Sequence, residues 1–169
     1  MHSSNIHYMT IHAYVLFIAA LIPLFVGFIW YHPKAFGNAW MKSIGATPES
    51  MKSGNMALIV GLCYLFALIL AAGLMPIAIH QFAFGSVFDG DKSIESAAYM
   101  KNFYVTYGTR FRTFKHGALH GSITALIIAL PLIGTNALFE RKGFKYMAIH
   151  VGYWIVVLAL MGGVICQFA

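Results

Sequence analysis

Eight histidines stand in a chain of 169 residues that is otherwise poor in ionisable side chains, with only 9% charged residues. Two of them, His116 and His120, are four apart, the spacing that puts two imidazoles on one face of a helix where both can ligate one metal ion. With His12 or His80 contributed by another helix, a three-ligand zinc, copper or iron site becomes geometrically accessible; two imidazoles from different helices would instead suit a haem. The competing reading is that these are interfacial histidines with a ring against apolar surface and a nitrogen in water. The chain has no His-Glu-x-x-His motif and no Cys-x-x-Cys-His haem attachment sequence. His120 is the most informative of the set, because it falls a full turn inside an apolar run, where an ionisable group marks a functional site by default.

Stepping outward from these side chains, the segments that carry them are hydrophobic: 60% of the residues are apolar and mean hydropathy is +0.74. A soluble domain carries about 25% charged residues, so this composition excludes one. Four runs, 11–30, 56–79, 118–138 and 146–168, contain no Lys, Arg, Asp or Glu and have the length of roughly 20 residues that a bilayer requires. Continuous rather than alternating hydrophobicity excludes a β-barrel. The sequence therefore predicts an all-α fold, a single domain over 1–169. It would be an integral membrane bundle of four transmembrane helices with an interfacial helix in the first loop and its largest non-membrane segment at 80–117. A separate catalytic domain has no room, which makes an enzyme the less favoured class. The run 11–30 lacks a basic n-region and a small-residue cleavage site, so it is expected to be retained rather than removed as a signal peptide.

This topology sorts the polar residues. His7, His12, His80, His116 and His120 share one membrane face. On the other face His32, Asn136 and His150 are placed to meet as a polar cluster, either pinning helix register or lining a proton or substrate path. Lys34, Lys42, Lys52, Arg141, Lys142 and Lys145 lie on one side against Lys92, Lys101, Arg110, Arg112 and Lys115 on the other; the short basic turn at 140–145 places both termini outside the cytoplasm. Trp40, on a face with Phe36, and the pair Arg110 and Arg112 are candidates for lipid headgroup contact. The net charge of +6 is divided among connecting loops and is no nucleic-acid footprint.

Local signals complete the reading. Gly117, Gly121, Ala125 and Ala129 recur every four residues, a small-residue stripe for close helix packing within the bundle or between subunits. Ala19, Pro23 and Gly27 form a second stripe, Ala148 and Gly152 a shorter one, and Pro23, Pro76 and Pro131 predict kinks. Cys63 and Cys166 differ by roughly 20 Å in predicted depth, too far for a disulfide. Thr47-Pro48-Glu49 reads as a helix start leading toward the second run. For the segment after Asp91 the residues allow either a helix carrying Tyr99, Phe103 and Tyr107 or an extended strand over 103–114.

The run Trp30-Tyr31-His32-Pro33-Lys34-Ala35-Phe36-Gly37-Asn38-Ala39-Trp40-Met41-Lys42 is followed by Gly45 and Pro48-Glu49. With the third run from His116 to Gly121, Asn136-Ala137-Leu138-Phe139-Glu140-Arg141, and Gly152-Tyr153-Trp154 before Met161-Gly162, it resembles the bacterial membrane family catalogued as domain of unknown function seventeen-sixty-one. The resemblance covers nearly the whole chain. It implies a small multi-pass protein of the bacterial inner membrane and carries no reaction and no site residues.

Three functions follow as expectations. The first is a non-enzymatic protein that binds a membrane partner, as an accessory subunit or a homo-oligomer. The second is a transition-metal or haem protein using the histidine face, and the third a small transporter or channel. Polar groups in mid-membrane are scarce, essentially Ser122, Thr124, Thr135 and Asn136, which weighs against a path through one subunit.

Overall fold

The computed structural model describes residues 11–52 and 54–169, so His7 lies outside the described residues. Among those residues all regular structure is helical. The helices are α1 (Tyr14–Ala19), α2 (Ile22–Trp30), α3 (Gly37–Ile44), α4 (Met56–Ala78), α5 (Gln81–Val87), α6 (Ile94–Tyr107), α7 (Phe114–Thr124), α8 (Leu130–Phe139) and α9 (Phe144–Phe168). A π-helical turn, Ala125–Ala129, joins α7 to α8 without a break.

Three of these stretches, not four, are long and apolar enough to cross a membrane: Met56–Ala78, Phe114–Phe139 and Phe144–Phe168. The first apolar run is the exception. Tyr14–Trp30 is shorter, and it is divided into α1 and α2. The break has a local cause. Pro23 has no N–H to donate, and just before it the chain tightens, with Leu21 N–H bonding the Ile18 carbonyl instead of the one four residues back. Pro131 acts differently. Its missing N–H and crowding ring disturb the turn before it, which widens into the π segment while the helix continues.

Polar caps decide where the other helices start. The Asn55 side chain accepts from Leu58 N–H at 3.1 Å and begins α4; Thr113 does the same for His116 N–H at 3.3 Å and begins α7 four residues before the expected position 118. Thr47 caps only a single 3-10 turn, Ser50–Lys52, so the helix start expected there does not run into α4. Gly45, at φ 73°, closes α3, the helix expected in the first loop, in the left-handed conformation that glycine adopts without cost. The segment after Asp91 resolves to helix, not strand, with Ser93 as its cap.

The centre of the molecule is α9, half of whose most apolar window is buried, against 17% for each of the other two spans. Its neighbours are α1, α2, α3, α4, α7 and α8. Val157, Met161 and Ile165 of α9 are fully enclosed, with Val15, Ala19, Ala71, Leu74 and Ala125 around them. The closest approach is made by α7. A Cβ placed on Gly117 would lie 2.1 Å from the Gly162 carbonyl oxygen, and one on Gly121 would lie 1.9 Å from that of Leu158. The stripe Gly117, Gly121, Ala125 thus packs inside the chain, and Ala129, past the wide turn, is only partly buried. The smaller stripes meet across the α2–α9 interface: Tyr153 Oη of α9 donates to the Pro23 carbonyl at 2.9 Å and rests on Gly27, while Gly152 of α9 sits under the Trp30 ring. Outward faces are apolar, compatible with a membrane: Leu58, Phe66 and Ile69 of α4 are more than half exposed. Both cysteines are free.

This packing distinguishes two glycine types. Gly121→Ala puts a methyl group against backbone that has no room to rotate away, and is expected to lower stability by about 1–3 kcal/mol, the range for an overpacked core. Gly61→Ala meets nothing within 4 Å and is expected to be neutral or to stabilise by a few tenths of a kcal/mol through helix propensity. Thermal unfolding of the two variants in one mild detergent checks the contrast; equal midpoints would show that the α7–α9 contact is not close.

Candidate functional site

The site is built by three devices that bring distant segments to one end of the bundle. The first is the α7 cap. Thr113 fixes the start of the helix, so His116 falls on its first turn and His120 on its second, stacked one above the other on one face. Gly117 and Gly121 follow each histidine by one residue, about 100° round the helix, and their contact with α9 fixes the direction in which the imidazoles leave it. The second device is the elbow after α4. Ile79 is extended (φ −114°, ψ 95°), the chain reverses at His80, and α5 starts at once. The third is Gln81, which is buried at 4% exposure. Its Nε2 donates to the carbonyls of Tyr107 at 2.8 Å and Arg110 at 2.9 Å, pinning the elbow to the end of α6. Tyr104 Oη donates back to the Gln81 carbonyl at 3.1 Å.

These devices place three imidazoles together. His80 Nε2 lies 2.9 Å from His116 Nε2 and 3.1 Å from His120 Nε2. One ligand atom from each of the three histidines lies within 4.8 Å of the other two. Their rings meet edge to face, and His116 is stacked under Phe111 at 5.1 Å. Phe111 itself carries a positive φ of 63°, a conformation that is uncommon and costly for a bulky side chain. His80 is exposed and the other two are half-buried, so the group opens to the solution beyond this end of the bundle.

A neutral imidazole nitrogen offers one in-plane site, either an N–H or a lone pair. His80 Nε2 therefore cannot serve both neighbours by hydrogen bonding alone. Three lone pairs turned toward a common cation have no such conflict. At a metal–nitrogen distance of about 2.0–2.1 Å, two ligand nitrogens of a tetrahedral ion lie about 3.3 Å apart, close to the separations here.

Arg112 explains why the loop before α7 is held. Its Nε donates to the Cys166 carbonyl at 3.0 Å and its guanidinium to the Ala169 carbonyl, while Gln167 Oε1 accepts from Phe114 N–H at 3.0 Å. This residue, expected at lipid headgroups, is spent on the carboxyl end of α9, where unpaired carbonyls and the helix dipole attract a cation. Trp40 packs on Tyr31 at 5.1 Å, and the Arg110 guanidinium lies over the rings of Tyr107 and Phe111 at 5.6 and 5.2 Å.

His12 is not one of the three clustered imidazoles. It belongs to the approach to α1, which packs on α4 and α9, and its ring neighbours Tyr14 at 5.6 Å. The expected meeting of His32, Asn136 and His150 is replaced by a different pair: His150 Nδ1 bonds Tyr31 Oη at 3.1 Å. His32 Nδ1 accepts from Lys34 N–H in its own turn, and His150 Nε2 is buried without a hydrogen-bond partner. Sequence reading missed Gln81, Phe111 and the clamp made by Arg112. Only Gln81 left a usable signal, as a polar residue directly after an apolar run and a histidine.

The model of a family described as a protein of unknown function (DUF1761) matches residues 14–166, and the chain belongs to that family. No curated protein and no solved structure matches the chain.

The position of His80 depends on α6, and the Ser93 cap of α6 is braced by an acid. Asp91 accepts from Ser93 N–H at 2.8 Å and from the Ser96 hydroxyl, and these bonds hold its carboxyl below the ordinary carboxylate range. A depressed folded-state pKa contributes stability above the unfolded value of about 3.9, and that contribution is lost as pH falls through the folded value. Protection of the backbone amides over 94–107 against hydrogen exchange, taken relative to their intrinsic rates, is expected to fall below about pH 4, and Asp91→Asn to show the lower protection already at neutral pH. A variant indistinguishable from the parent at both pH values would remove Asp91 from the support of this helix.

Proposed function

We propose that this member of the DUF1761 family is a membrane-embedded metal-binding protein whose His80, His116 and His120 hold one divalent transition-metal ion at one end of its helical bundle. The observation that carries the reading is the convergence of three imidazole nitrogens at 2.9 and 3.1 Å from a common member. All three ligands are neutral and of intermediate softness, the donor set that suits zinc, copper, iron or nickel and disfavours magnesium and calcium. Three protein ligands leave a fourth position for water or substrate, the arrangement of catalytic rather than closed structural sites. A haem is less well supported. Its two axial nitrogens sit about 4 Å apart across the porphyrin plane at ordinary iron–nitrogen distances of about 2 Å, and His80 Nε2 lies closer than that to both of the other imidazoles, which share one helix face.

In this reading Tyr14–Trp30 completes a four-pass arrangement by crossing as a broken, tilted element packed on α4 and α9, in a bacterial inner membrane. Two other functions lose their support. The small-residue stripe that favoured a partner or a second copy is used between α7 and α9 within one chain. Of the mid-membrane polar groups expected to line a transport path, Ser122 and Thr124 bond carbonyls of their own helix, at Ala118 and His120.

The test is metal content of protein purified without a histidine tag and reloaded with zinc, copper or cobalt after chelation. The parent is expected to bind one equivalent, and His120→Ala and His80→Ala to lose at least about tenfold in affinity, as expected when a ligand of a three-ligand site is removed. His32→Ala is expected to bind as the parent does. No stoichiometric metal in the parent, or equal loss in all three variants, would refute the site.

A further inference from the structure

Beside the three histidines lies a cavity of about 370 Å³ lined by His80, Gln81, Phe103, Tyr107, Arg110 and Phe111. Two of its walls belong to the histidine group: His80 is a member, and Phe111 stacks on His116. The other walls are aromatic, with Phe103 and Tyr107 on one face of α6 at a spacing of one turn and their rings 5.6 Å apart. The cation is Arg110, whose guanidinium lies against Tyr107 and Phe111 and forms no ion pair with an acid among the described residues. Its neighbour Arg112 is committed to the end of α9; Arg110 is not.

We infer that this cavity binds a small organic carboxylate with a flat, apolar body, whose carboxylate pairs with Arg110 and whose body lies against Phe103 and Tyr107 next to the metal. The inference rests on the metal reading above and adds the class of molecule that meets the open position. The chemistry selects each part. Guanidinium pairs with carboxylate in a two-pronged geometry that ammonium lacks, and pinned over two rings it has already lost much of its freedom. Aromatic walls favour a planar body over a sugar or a peptide backbone, whose polar groups would be left unpaired there. At the His80 end, a metal with a free coordination position can take a carboxylate oxygen or hold a water against the bound molecule.

Benzoate is the probe, with benzamide as its uncharged isostere. The full chain in a non-ionic detergent is loaded with cobalt(II), whose visible absorption reports its ligand environment, and is titrated with each. Benzoate is expected to bind saturably and shift the cobalt bands, and benzamide to bind at least about tenfold more weakly. Arg110→Gln is expected to load cobalt as the parent does and to lose at least about tenfold in benzoate affinity, with part of it restored in Arg110→Lys. Cobalt loading without a benzoate response, or a response unchanged in Arg110→Gln, overturns the cavity assignment and leaves the metal site standing. Failure of the parent to load any metal overturns the metal site and this inference together.

Discussion

The structure depends on a contact made by the absence of side chains. Gly117 and Gly121 bring the backbone of α7 against Gly162 and Leu158 of α9, closer than any residue with a Cβ would permit. Backbones this close gain dispersion and the weak polar contacts of adjacent peptide groups, the terms that hold apolar helices together where hydrophobic gain is absent, as in lipid. The contact also sets a rotation. Because each histidine of the pair directly precedes a glycine, an α7 that turned on its axis to relieve crowding would carry both imidazoles away from His80. Packing and site geometry are therefore one constraint.

The second half of the site is supplied by polar chemistry at the ends of helices. His80 is held by the buried amide of Gln81, which spans two carbonyls at the end of α6. The loop that leads into α7 is held by Arg112 on the end of α9. Each of these groups bonds carbonyls at or just beyond a helix end, and each does so across elements far apart in sequence. The loop between the second and third apolar runs is thus the part of the molecule that assembles the site, with α5 and α6 as its scaffold.

What the residues disclosed, and what they did not, follows the range of the interactions. Periodic or continuous signals were readable. The apolar runs of α4 and α9, the spacing of His116 and His120 and the glycine stripe are all local patterns. The first run was misjudged because composition cannot say whether a proline kinks a helix or divides it: Pro131 is accommodated by a wider turn, Pro23 accompanies a break. Arg112 was assigned to headgroups because its partners lie 54 and 57 residues away. His150 was paired with the wrong neighbours for the same reason, since its partner Tyr31 is 119 residues distant. His80 was grouped with the α7 histidines through the topology alone, and His12 was grouped with them by the same argument. The order of the segments grouped both with α7, but only His80 meets the pair, because lateral position in the bundle is set by packing that topology does not specify.

The wide turn at Ala125–Ala129 divides the third span into two helices that do not share a face. One residue beyond the ordinary count per turn rotates everything after it by about 100° relative to a straight continuation. The row of small residues that begins at Gly117 consequently leaves the α9 interface after Ala125, and Ala129 borders instead a cleft of about 470 Å³ shared with Ile69, Gly73 and Trp154. The two halves are mechanically different: the first is locked by backbone contact, the second rests on larger side chains with space between them. Changes in sequence along α8 can therefore be absorbed by that cleft without transmitting rotation to the histidines, so the span insulates its site-bearing end from its other end.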